Sequence, residues 1–238
     1  MLTAFARAFR TPDLRRKMLF TLAIIALFRF GSQLPTPGVD AGAIQRCLEP
    51  ALAQGGIYGL INLFSGGALL QLSVFALGIM PYITASIIIQ LLTVVIPRLE
   101  ALKKEGQAGT ARLTQYTRYL TVALAVLQST AFIAIAREPG RLFQGCNECI
   151  IREEIGIWGI LSMVLTMTAG TAVIMWFGEL ITDRGVGNGM SLLIFTQIVA
   201  TFPQQLWVIK QQAGWDAFLI VVGVGLALVA AVIFIEQG

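Results

Sequence analysis

The chain has 238 residues, of which 56% are hydrophobic and only 13% charged, with a formal net charge of +4. Soluble domains carry about 25% charged residues, so at a mean hydropathy of +0.78 these charges cannot coat a globule, and lipid must solvate much of the surface. The absence of histidine removes the commonest general base and metal ligand, and the basic residues fall in short segments between apolar runs rather than on a polar face suited to nucleic acid.

Leu2, Phe5 and Phe9 recur at helical spacing, with Arg7 and Arg10 on the other side. A basic helix lying in the headgroup region and a disordered basic tail both fit this. Thr11-Pro12 suits the cap and first position of the next helix. A basic region before an apolar run also opens a signal peptide, but no small-residue cleavage site follows and further apolar runs do.

A spanning helix needs about 20 mostly apolar residues. Six stretches approach this: Met18–Leu34, Leu69–Ile96, Tyr119–Ala136, Ile155–Phe177, Met190–Ile209 and Ala217–Ile235. The second is long and carries a kink signal at Gly78-Ile79-Met80-Pro81. Within it Ile79, Ile83 and Ile87 recur every four residues on one face, and Met190 and Ile194 repeat the spacing at the start of the fifth stretch. Such stripes most often face lipid or pack. Ala169-Gly170-Thr171-Ala172 and Gly223-Val224-Gly225 are small enough to bring helix backbones together. Gly55–Gly67 is apolar but too short to span; a surface loop and a re-entrant helix hinged by its paired glycines both fit.

Basic residues orient the chain. Eleven lie before the first stretch, between the second and third, and between the fourth and fifth; five lie in the alternate connections, and Arg29 lies within or at the end of the first stretch. This predicts a cytoplasmic N-terminus. Cys47, Cys146 and Cys149 then fall on the outer side. The Cys146-Asn147-Glu148-Cys149 spacing lacks the second ligand pair of a zinc site, which leaves free thiols or a disulfide. Arg184–Gly189 is glycine-rich, but apolar helices flank it where a dinucleotide loop needs a strand. It reads as a tight turn in which Asn188 can cap the next helix.

Arg29 is the one charge deep in an apolar run, with Gln90 and Gln128 the other polar groups at depth. An intramembrane charge marks function by default, although Arg29 is close enough to the run's end to snorkel. A solute transporter would place carboxylates or histidine near the midplane. An intramembrane enzyme would need a nucleophile–base pair or metal ligands. Neither pattern is present, and no catalytic residue, metal site or cofactor is expected.

Several ordered blocks then carry a resemblance: Phe64-Ser65-Gly66-Gly67-Ala68, Phe75 through Ile83, Ser86 through Leu92, Lys103-Lys104-Glu105-Gly106, Gln115 through Tyr119, Gly178 through Thr182, and Arg184 through Gly189. From about residue 11 onward the chain is similar to the SecY family of bacterial protein-conducting channel subunits. The resemblance implies an all-α, polytopic bundle. It consists of a basic segment at 1–17, a five-span half at 18–209 with a plug near 55–67, and a sixth span at 210–238 after which the family continues, so that the chain looks truncated. It implies a plug formed by Ile57, Tyr58, Leu60, Ile61, Asn62, Leu63, Phe64, Ser65 and Gly66. It implies a hydrophobic pore ring to which Ile79, Ile83, Met190 and Ile194 contribute, Met190 standing where better-known members carry isoleucine. Thr84, Ile87 and Gln128 would sit at a lateral gate. Lys103, Lys104 and Arg184 would meet cytoplasmic partners. The partners implied are SecE, SecG, the SecA ATPase, the translating ribosome, signal peptides and nascent chains, in the cytoplasmic membrane, with no specificity for nucleic acid.

Overall fold

A computed structural model describes residues 12–53, 65–138, 150–151 and 155–237. Its helices are α1 (Pro12–Gln33), α2 (Ala41–Ala53), α3 (Met80–Val95), α4 (Pro97–Lys104), α5 (Gln107–Ala136) and α6 (Ile157–Arg184). The last helical stretch breaks at Gly214, where φ is 82°, into α7 (Gly189–Gln211) and α8 (Gly214–Ile235). Among the described residues no strand forms; Pro35–Ser73 and Val39–Ile151 are isolated bridges. The fold is an all-α membrane protein.

Helices α5 to α8 are each long and apolar enough to cross a membrane, and α3 with α4 makes a fifth candidate bent by 101°. The bend has a local cause. Ile96 precedes Pro97 and is extended (φ −101°, ψ 112°), as the proline ring demands of its predecessor. The first of the six expected spans falls short, because the apolar run of α1 is bounded by Lys17 and interrupted by Arg29. Pro12 opens α1 as the sequence suggests; Thr11 lies outside the described residues.

The second expected span is corrected more substantially. Its hydropathy starts at Leu69, but α-helix starts only at Met80. Residues 66–79 run as consecutive turns, closed by short-range bonds in which Leu72 N donates to Leu69 O (3.0 Å), Ala76 N to Ser73 O (3.0 Å) and Gly78 N to Phe75 O (2.9 Å). Gly66, Gly67 and Gly78 have φ of 63°, 86° and 57°, a region costly for residues with a Cβ. The chain just after α1 supplies the partners that a helix would have supplied: Val74 N donates to Leu34 O (2.8 Å) and Thr36 N to Leu72 O (3.0 Å). Irregular backbone at membrane depth is tolerated only when protein or a water-filled cavity surrounds it, and Leu70, Leu72, Ala76, Leu77 and Ile79 are all buried here.

Helix α6 forms the wall behind this segment. A Cβ on Gly170 would lie 2.1 Å from the Val74 carbonyl oxygen, so the glycine is what allows the contact. Phe75 stacks on Phe28 of α1 (centroids 5.9 Å apart) and meets Phe177 of α6 edge-on (6.5 Å). A Cβ on Gly31 would lie 2.2 Å from Phe75 Cε2. Helix α5 buries Gly109, Leu113, Thr117, Thr121, Ala125, Ser129, Ile133 and Ala136, a mostly small stripe at near four-residue spacing. Close helix approach of this kind drives association where lipid is as apolar as the side chains. Thr117 and Thr121 donate to carbonyls of their own helix (3.0 and 2.7 Å) and so bring no unpaired hydroxyl to the interface. Across that interface Arg118 and Glu179 form a two-point ion pair at 2.8 and 2.9 Å.

Two elements were not legible as such. Helix α2 lies in what hydropathy reads as a connection, and Asp40 caps it, its Oδ1 accepting from Gly42 N (2.8 Å) and Ala43 N (3.1 Å). Gly223 and Gly225 of α8, expected as a packing site, meet nothing within 4 Å, because the apolar window of α8 is 0% buried within this chain. At the break between α7 and α8, the Lys210 ammonium lies 4.3 Å from the Trp207 ring centroid and 4.1 Å from that of Trp215.

Substituting Gly170 with leucine should force α6 away from residues 73–75. The expected loss of stability is about 1–3 kcal/mol, the usual range for overpacking, read as a lowered unfolding midpoint in detergent. An unchanged midpoint would show that the close approach carries no weight.

Candidate functional site

Two helix starts converge here. Gly78, in the left-handed region, turns the chain so that Ile79 precedes α3, and the Ile79 carbonyl accepts from Tyr82 N and Ile83 N at 3.1 Å each. Pro81 lies in the first turn, where a missing N–H costs nothing. Helix α7 begins after Gly187 (φ 75°). Asn188 Oδ1 accepts from Met190 N (3.0 Å) and Ser191 N (3.3 Å), which is the cap the sequence suggested. Thr182 Oγ1 accepts from Gly189 N (2.9 Å) and donates to Gly178 O (2.9 Å), tying the end of α6 to the start of α7. The backbones approach so closely that a Cβ on Gly189 would lie 2.0 Å from the Gly178 oxygen, and one on Gly178 would lie 2.2 Å from Met190 Sδ. Met190 is thus seated in a notch on α6.

The result is one apolar cluster. Ile79 lies within it, beside Ile24, Phe28, Phe75, Ile174, Phe177, Ile181 and Leu193; Ile83, Met190 and Ile194 pack against it. All four residues of the expected ring are therefore brought together from α3 and α7. They are not equivalent. Ile79 is 2% exposed, whereas Ile83, Met190 and Ile194 are partly open. Farther along α3, Ile87 is 51% exposed. The four-residue stripe on α3 thus grades from core to surface instead of presenting one uniform face.

Above Ile79 the polar groups are arranged around the two hinge glycines. Arg29 Nη1 of α1 donates to Gly66 O at 3.2 Å, so the intramembrane charge has a protein partner. Gln197 of α7 is 3% exposed. Its Cα and Cβ lie 3.4 Å from where a Cβ on Gly66 would be, and its Nε2 lies 2.7 Å from where a Cβ on Gly78 would be. Sequence reasoning passed over Gln197, because one amide in an apolar run carries no motif. Its spacing of three from Ile194 and seven from Met190 was the available signal.

The remaining candidates scatter. Thr84 donates to Met80 O of its own helix (3.0 Å). Gln128 is half-buried on α5. Helices α3 and α5 pack together, but no hydrogen bond joins these two side chains among the described residues. Lys103 and Lys104 project from α4, with Lys104 paired to Glu100 at 2.6 Å, and Arg184 is exposed at the end of α6. A cavity of about 330 Å³ is lined by Tyr82, Arg118, Glu179, Asn188 and Met190 among others. Of the expected plug, Ile57, Tyr58, Leu60, Ile61, Asn62, Leu63 and Phe64 lie outside the described residues; Ser65 and Gly66 lie within them. Cys47 is disulfide-bonded; Cys146 and Cys149 lie outside the described residues. Among the described residues no group of three or more His, Cys, Asp or Glu side chains could hold a metal ion.

The arrangement is one apolar cluster at the starts of α3 and α7, with the turn into α7 pinned to the end of α6. Comparisons with known proteins bear on the family. The SecY family model matches residues 73–238. The chain is 64% identical to the protein translocase subunit SecY of Streptomyces scabiei over its whole length, covering 55% of that relative. It is 63% identical to that of Streptomyces coelicolor, again over its whole length and 55% of the relative. It is 55% identical to that of Mycobacterium tuberculosis, over its whole length and 54% of the relative. The chain thus spans about half the length of the curated relatives it matches. On a family match over most of its length and identities that extend over all of it, the chain belongs to the SecY family.

Proposed function

We propose that the chain forms the first half, with one further span, of a protein-conducting channel in the cytoplasmic membrane, its N-terminus on the cytoplasmic side. The observation that carries this reading is the meeting of Ile79, Ile83, Met190 and Ile194 in one cluster between α3 and α7. Side chains of this kind offer neither ions nor water a hydrogen bond, and a narrow apolar constriction dewets and blocks conduction. The same surface yields around an extended polypeptide without selecting its sequence. Met190 adds a flexible thioether to the ring, held by the notch at Gly178.

In this reading Ile57 through Gly66 form the plug on the outer side of the ring. Thr84, Ile87 and Gln128 stand where α3 and α5 part to let an apolar signal segment pass into lipid. Lys103, Lys104 and Arg184 face the cytoplasm and meet the SecA ATPase or the ribosome, and SecE and SecG complete the complex. The relatives' name, translocase, supports this role, and in this reading energy comes from the partners.

Replacing Ile83 or Ile79 with asparagine in the complete channel should raise its resting ion conductance in planar bilayers. Conductance equal to the parent's would overturn the ring assignment. A paired change of Lys103 and Lys104 to glutamate should weaken binding of the cytoplasmic motor. The loss should be greatest at low ionic strength, because exposed charges are screened over about 10 Å at 0.1 M salt. Binding unchanged at low salt would remove these lysines from the contact.

A further inference from the structure

Arg29 and Gln197 have no part in the ring, the gate or the partner surface, yet both close on the segment that delivers Ile79. Arg29 reaches Gly66 from α1. Gln197, on α7, touches both Gly66 and Gly78. These glycines bracket the turn-built stretch, and Gly78 directly precedes Ile79. Along α7, Gln197 shares a face with Met190 and Ile194. One buried amide therefore spans the two helices whose ends carry the ring.

We propose that Arg29 and Gln197 form a latch across the two glycine hinges, positioning Ile79 in the seal and resisting its opening; this rests on the channel reading above. The half-buried guanidinium donates a charge-assisted bond to the Gly66 carbonyl, and separating them costs that bond. Parting α3 from α7 drags Gly78 and Gly66 away from Gln197. Opening the ring therefore requires the latch to release. Both hinges must be glycine for the contact to exist. Their φ values are positive, and a Cβ at Gly78 would lie 2.7 Å from the Gln197 amide nitrogen.

The test uses the full-length channel in planar bilayers, with Arg29→Met, Arg29→Lys, Gln197→Leu and, as a reference, Ile83→Asn. Arg29→Met should raise the resting open population about tenfold to a hundredfold, the effect of losing a hydrogen bond from a charged donor. Arg29→Lys, which keeps a donor, should recover part of the seal. Gln197→Leu should leak while keeping the parent's unfolding midpoint, which separates positioning from general stability. If Ile83→Asn leaks while Arg29→Met and Gln197→Leu stay as tight as the parent, the latch is wrong and the ring stands. If Ile83→Asn does not leak, the ring reading falls and the latch with it.

Discussion

Backbone polar groups that leave the helix inside an apolar bundle must find partners in protein, and the stretch from Gly66 to Ile79 is where this chain meets that requirement. Its N–H and C=O groups close tight turns among themselves and reach the chain just after α1 through Leu34 and Thr36. The rest of the architecture is organised around the need. Helix α6 stands close because Gly170 has no side chain, Phe28 and Phe177 cover the Phe75 ring, and Arg29 supplies a donor where a helix would have supplied one. A continuous helix from Leu69 would need none of this. It would also carry Ile79 within a continuous rod, whereas here Ile79 stands on turns just ahead of α3.

How much of this was visible beforehand varies by element, for physical reasons. The apolar runs of α5 to α8 were legible because lipid solvation writes itself into composition over twenty residues. So were the Asn188 cap and a break in the backbone near Gly78, since each rests on a local backbone rule. The turn-built stretch was not, because Leu69 to Leu77 is as apolar as a span and hydropathy does not register hydrogen-bond partners. Helix α2 was missed for the opposite reason, being too short and too mixed to stand out. Contacts between distant residues, such as Arg118 with Glu179 or Gln197 with the hinge glycines, carry no signature within one chain. The glycines at 223 and 225 meet no other helix of this chain, and smallness permits close packing without requiring it.

The four clustered side chains are placed in two ways. Ile79 is enclosed and holds α3 against the bundle, while Ile83, Met190 and Ile194 keep part of their surface open. The pinned turn between α6 and α7, through Thr182, Gly178 and Gly189, fixes where α7 begins and hence the height of Met190. Family membership and geometry answer different questions here. The comparisons say which proteins the chain descends with, and the packing says why four particular side chains meet.

The Lys210 ammonium, held between the rings of Trp207 and Trp215, has a consequence for how the bundle rides in lipid. Indoles favour the headgroup boundary and bind a cation on their faces, so this trio fixes the α7–α8 junction at one depth, much as a float marks a waterline. A bilayer that thickens or thins cannot draw that junction inward. With the start of α7 held by its turn with α6, the adjustment falls instead on the far end of α8.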